Sequence, residues 1–118
     1  MLSILIVDDS RVSRQIVRKA LPPWDLHIRE ASSGRECLKA YARERADVVL
    51  LDLTMPEMDG FETLARIRAL DARARVIVIT ADIQAGAEER VLGLGASILL
   101  HKPVKPTELL AALEDSSS

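Results

Sequence analysis

One cysteine, Cys37, occurs in the 118-residue chain, so no intramolecular disulfide can form and a reducing compartment is expected. On its own it reads as a small apolar side chain for the core. No run approaches the ~20 apolar residues of a membrane span. The apolar run Leu2–Val7 is too short for a signal peptide and lacks a basic segment before it. Neither charge sign dominates, since 16 basic against 18 acidic side chains leave a formal −2. That balance predicts neither a nucleic-acid nor a membrane partner. Together these absences predict a cytoplasmic location. What the chain does have is apolar content, 48% of its residues. That is too much for a disordered polymer and enough for one ordinary core. One domain is expected at this length, and no internal repeat or second domain is visible.

Short β-branched runs alternate with amphipathic segments, the pattern of a parallel sheet covered by helices. Five strands are predicted, near 2–7, 26–31, 47–52, 75–80 and 97–101. Leu26-His27-Ile28-Arg29-Glu30-Ala31 alternates apolar and polar residues and reads as an edge strand with one wet face; the others are nearly all apolar, as in strands buried on both sides. Ser10 is placed to cap a first helix with apolar positions Val12, Ile16, Val17, Ala20 and Leu21, stopped by Pro22-Pro23. Ser33-Gly34-Arg35-Glu36 and Asp59-Gly60-Phe61-Glu62 read as capping boxes for the second and third helices. The second would bury Cys37, Leu38, Tyr41 and Ala42; the third would carry Leu64 and Ile67. A fourth, near 84–94, is weakened by Gly86 and Gly93. Pro106 suits the first turn of a short last helix carrying Leu109, Leu110 and Leu113. The domain is expected to end near 114, with 115–118 a frayed tail or the start of a linker.

Four of the strands end on reactive polar residues: Asp8-Asp9, Asp52, Thr80 and Lys102-Pro103. In an open parallel sheet, ligands sit outside the carboxyl ends of the strands. Three carboxylates, a hydroxyl and an amine therefore converge. Neighbouring strands lie ~4.8 Å apart, and carboxylates that close cannot all stay ionised without a counter-charge. Either one is protonated or a cation sits among them. An all-oxygen set with no histidine or cysteine nearby favours magnesium over zinc. Asp52 ends the central strand and precedes a loop rich in turn residues. A carboxylate there is able to attack phosphorus and form an acyl phosphate. Lys102 then supplies a cation and Thr80 a donor for the phosphoryl oxygens.

These residues at these positions resemble the receiver domain of two-component response regulators, of the CheY type. The matching elements are Val7-Asp8-Asp9-Ser10, Leu51 through Gly60, Ile79-Thr80-Ala81 and Lys102-Pro103, and the likeness spans essentially the whole chain. The resemblance implies an α/β fold, a single doubly wound, flavodoxin-like five-stranded parallel sheet in the order 2-1-3-4-5 with five helices. It implies that Asp52 accepts a phosphoryl group from a histidine kinase or phosphotransfer protein. It implies magnesium held by Asp9, Asp52 and the Thr54 backbone carbonyl, with Asp8 acting through water. Thr80 and Lys102 would grip the phosphate. An output partner would meet the face built from the fourth helix, fifth strand and fifth helix. Leu99 stands where the family often has Tyr or Phe, and Ser97 where receivers that dimerise through this face are often acidic. The usual aromatic switch and that dimer mode are therefore not expected.

Three other readings compete. An aspartyl phosphohydrolase would want a second acid two residues after its nucleophile, and Thr54 stands there. A nucleotide or flavin module rests only on Gly93-Leu94-Gly95, which lacks a third glycine and does not follow a strand. A receiver without chemistry, used only for contacts, is at odds with the presence of all five pocket residues.

Overall fold

The computed structural model describes residues 1–81 and 84–117. Five strands, β1 (Leu2–Val7), β2 (Leu26–Ala31), β3 (Val48–Leu51), β4 (Val76–Thr80) and β5 (Ile98–His101), form one sheet in the order β2-β1-β3-β4-β5. Every pairing is parallel, with Leu2 opposite Leu26, Ile4 opposite Val48, Val49 opposite Val76 and Ile77 opposite Ile98. Five helices alternate with the strands: α1 (Arg11–Ala20), α2 (Gly34–Arg43), α3 (Gly60–Leu70), α4 (Ala87–Gly93) and α5 (Pro106–Ser117). This is the doubly wound architecture expected. Strands β3, β4 and β5 each begin one residue later than predicted, and β3 also stops at Leu51.

The strands are apolar on both faces because both faces are covered. One core holds Leu5, Val7, Val49, Leu51, Val76 and Val78 under α2 and α3, with Cys37, Leu64 and Ile67 packed onto them. The other holds Ile4, Ile6, Val48, Leu50, Ile77 and Ile79 with Val17, Leu109 and Leu113. Strand β2 is an edge with an alternating pattern, as read from its sequence. Strand β5 is the other edge and is not buried throughout, since Ile98 is 37% exposed. Among the described residues, no helix is long and apolar enough to cross a membrane.

Several local expectations change. Ser10 Oγ accepts from the Ser13 N–H and starts α1 as predicted. Val12 and Ile16, however, are 66% and 48% exposed, so α1 buries only Val17 and Ala20. The Ser33 and Asp59 side chains accept from the N–H of Glu36 and Glu62. The return half of each box differs. Glu36 reaches Ser32, at N–H and hydroxyl, and Glu62 leans toward Arg66 at 3.8 Å. Ala42 is exposed on the outer side of α2. Helix α4 is only Ala87–Gly93, because Gly86 takes a left-handed φ of 87° and gives no side-chain cap. Helix α5 is longer than read: Glu114 and Asp115 continue it to Ser117, since no helix breaker intervenes. Ser118 lies outside the described residues.

Burial in the α2 core has a pH signature. The Cys37 thiol is pushed up to about 12 by burial. The Tyr41 hydroxyl, buried and bonded to Asp71 at 2.6 Å, is also pushed up to about 12. Groups with raised values contribute stability that is full below their unfolded values and is lost as pH rises through the folded ones. Stability is therefore expected to fall between pH 9 and 12, on the order of 4 kcal/mol for Cys37. Urea melts across this range should show the slope. Cys37→Ala, although weaker at pH 7, should flatten its first limb.

Candidate functional site

The site forms where the ladder runs past the ends of the strands. The Asp8 N–H bonds to Ala31 O at 3.1 Å, the Asp52 N–H to Val7 O at 3.0 Å, and the Lys102 N–H to Thr80 O at 2.9 Å. Backbone hydrogen bonds thus continue through the polar residues and hold three strand ends in register. Side chains that follow β1, β3 and β5 are delivered to one place without help from a loop. Lys102-Pro103 is cis.

Asp8 and Asp52 are buried, and Thr80 is completely so. Asp9 is exposed. Asp8, Asp9 and Asp52 each place one oxygen within 4.8 Å of the others. Lys102 Nζ lies 2.6 Å from Asp8 Oδ2 and 3.6 Å from Asp52 Oδ1. Asp8 Oδ1 accepts from the Ser10 N–H at 2.9 Å. Lys102 therefore pairs with two of the three clustered carboxylates. Burial raises the Asp52 carboxyl above its ordinary range, against the pull of Lys102, and Asp8 raises it further. The Thr54 N–H, which bonds the Asp52 carboxyl, pulls the other way. The predicted set of Asp8, Asp9, Asp52 and Lys102 is thus gathered, with Thr80 at the end of the neighbouring strand.

Sequence reading missed three supports. Ser13 Oγ accepts from Lys102 Nζ at 3.4 Å. Arg14 donates to the Asp8 carbonyl at 2.6 Å and pairs with Glu30 at 2.8 Å, and Arg18 holds the same Glu30. Arg14 and Arg18 lie one helical turn apart on one face of α1. That spacing is too common to single them out.

The loop after β3 is shaped for close approach. A Cβ on Gly60 would lie 2.4 Å from both Asp52 O and Leu53 Cα. Its N–H bonds Leu53 O at 2.9 Å. Glu57 sits at a positive φ of 65°, a conformation in which a Cβ is strained. Glu57→Gly is expected to stabilise the fold by about 0.5 kcal/mol, the relieved strain exceeding the added chain entropy. A urea midpoint that falls would contradict this.

The donors fit magnesium, since all are oxygens and carboxylate charge exceeds the single lysine. Without a cation, ionised Asp52 burdens the fold. Its raised carboxyl contributes stability below its unfolded value that is lost as pH rises through the folded one. At pH 7 in chelator, Asp52→Asn is therefore expected to melt at a higher temperature than the native chain. Lys102 keeps Asp8 as its partner in that variant. Thermal melts with and without millimolar magnesium test it. The native chain should gain from the metal and the variant much less.

The chain is similar to proteins of known family. The model of the response regulator receiver domain matches residues 4–114. The chemotaxis protein CheY of Listeria monocytogenes is 39% identical over 118 residues, 99% of both chains. The response regulator MprA of Mycolicibacterium vanbaalenii is 38% identical over 93% of this chain, which spans only 48% of that protein. Among solved structures, the CheX-CheY-BeF3-Mg complex of Borrelia burgdorferi matches with a TM-score of 0.93 at 30% identity, covering 99% of this chain and 90% of that one. CheY4 of Vibrio cholerae matches at 0.88 with 30% identity, covering 98% of each. A parallel sheet that sets an acidic cluster and a lysine at its strand ends, and a family match along nearly its whole length, place this chain in the response regulator receiver domain family, as a CheY-like signalling domain.

Proposed function

We propose that Asp52 is the phosphoacceptor. A carboxylate oxygen of Asp52 attacks phosphorus of a phosphohistidine on a histidine kinase or phosphotransfer protein. The P–N bond breaks, the imidazole leaves with its electron pair, and an acyl phosphate forms on Asp52. Asp9, Asp52 and the Thr54 carbonyl would hold magnesium, with Asp8 acting through water; when bound, the metal neutralises phosphoryl oxygens. Lys102, already paired with Asp8 and 3.6 Å from Asp52, turns to the incoming phosphoryl group as a counter-charge. Thr80 donates its hydroxyl to the same group. The observation that carries this reading is the buried Asp52 carboxyl, 3.6 Å from that lysine and clustered with two further acids. The domain acts on itself and loses phosphate slowly; it is not an enzyme on outside substrates. We read residues 1–114 as the receiver and the place of action as the cytoplasm.

The output would pass through α4, β5 and α5, with no direct contact to nucleic acid or membrane. Leu99 is buried against the α3–α4 side, so no ring swings on phosphorylation. A small population shift of the segment around short α4 carries the signal instead. Asp82 and Ile83, in the 81–85 loop assigned to that shift, lie outside the described residues.

Acetyl phosphate and magnesium, followed by intact-mass spectrometry, test the proposal. One phosphoryl group should appear and persist, and chelator should suppress it. Continuous turnover of the donor would instead indicate a hydrolase. No labelling would indicate a contact module.

A further inference from the structure

A second surface shares no residue with the acidic cluster and its lysine. Helices α2 and α3 pack side by side and leave an open groove of about 470 Å³ between them, lined by Leu38, Lys39, Ala42, Arg66, Ala69 and Leu70. Its floor is apolar and its charged residues are both basic. Leu70 is 49% exposed and borders the partly buried Leu38 in this groove. A second hollow shares Leu38, Lys39 and Arg66, adds Arg35 and Met58, and ends at Glu57 and Glu62. The channel therefore runs from the loop after Asp52 to the far end of α3. Its basic edge belongs to a chain whose net charge is −2.

We propose that this α2–α3 groove docks an acidic amphipathic helix of a partner protein. The 10- and 11-residue helices give a channel about 15 Å long, two to three turns of a partner helix. Apolar side chains at i, i+4 and i+7 would lie against Leu38, Ala42 and Leu70. Acidic side chains flanking that stripe would meet Lys39, Arg66 and Arg35. Arg66 is available because its link to Glu62 is long, 3.8 Å, and both side chains are more than half exposed. A small ligand would stay wet on one side of so open a channel, whereas a helix covers it. A lipid surface suits the groove less well, because a flat bilayer does not reach into a channel between two helices.

The probe is a synthetic helix of about 15 residues with Leu at those spacings and Glu on both flanks. Its binding to the full chain is followed by amide chemical shifts and fluorescence anisotropy. Saturable binding is expected, with shifts at Leu38, Ala42, Ala69 and Leu70. Leu70→Glu and Arg66→Glu each change an exposed side chain and should weaken it at least tenfold. A peptide with Lys in place of every Glu should bind at least tenfold less, and salt should weaken the acidic one. Binding should survive Asp52→Ala, which separates this proposal from the phosphoacceptor reading. No binding, shifts confined elsewhere, or equal binding of the Lys peptide would overturn it. So would Leu70-dependent capture by phosphatidylglycerol vesicles, or self-association lost in Leu70→Glu, since these assign the groove to lipid or a second copy.

Discussion

Replacing Asp52 by alanine is expected to remove phosphoryl labelling altogether, not to slow it. The other two acids of the cluster are poor substitutes for different reasons. Asp8 has both oxygens engaged, one by Lys102 at 2.6 Å and one by the Ser10 N–H at 2.9 Å. Asp9 is exposed, so water competes for whatever approaches it. Asp52 alone is buried at the end of the central strand with a lysine within 3.6 Å. Lys102→Ala should behave differently. The nucleophile survives, but the counter-charge for the transferring group is gone, so the rate should fall about 10²-fold while the end point still labels. Time courses by intact mass separate the two outcomes. Wild-type labelling of Asp52→Ala would place the acceptor elsewhere.

Gly60→Ala is expected to cost about 3 kcal/mol and lower the melting temperature by about 12 °C. The new Cβ would lie 2.4 Å from Asp52 O and Leu53 Cα, and neither is the end of a flexible side chain. The backbone next to the acceptor must move, so labelling should suffer as well. Gly93→Ala is the control. Nothing lies within 4 Å of its Cβ position, and it sits in α4. Alanine there should stabilise by up to about 1 kcal/mol through helix propensity. Equal melting of both variants would show that the loop tolerates the side chain.

Much of this was legible in order along the chain, because strand and helix periods are local. Four largely apolar runs and one alternating run, the Ser10, Ser33 and Asp59 caps and the residues after each strand follow from neighbours a few positions away. So does convergence of the polar strand ends, since a parallel sheet has one carboxyl edge. The sheet order came from likeness to a family, as no local pattern says which strand lies beside which. Other features needed the third dimension. The Val12 and Ile16 side chains match a buried stripe, yet α1 turns them outward, because the sheet beneath is covered by Val17 and Ala20. Asp8 and Asp9 are adjacent letters, but only Asp8 is buried and paired with Lys102, while Asp9 stays exposed at the rim of the same cluster. The α2–α3 groove is likewise invisible in one dimension. Its basic edge joins Lys39 to Arg66, residues far apart in sequence that meet only because two helices pack on the same face of the sheet.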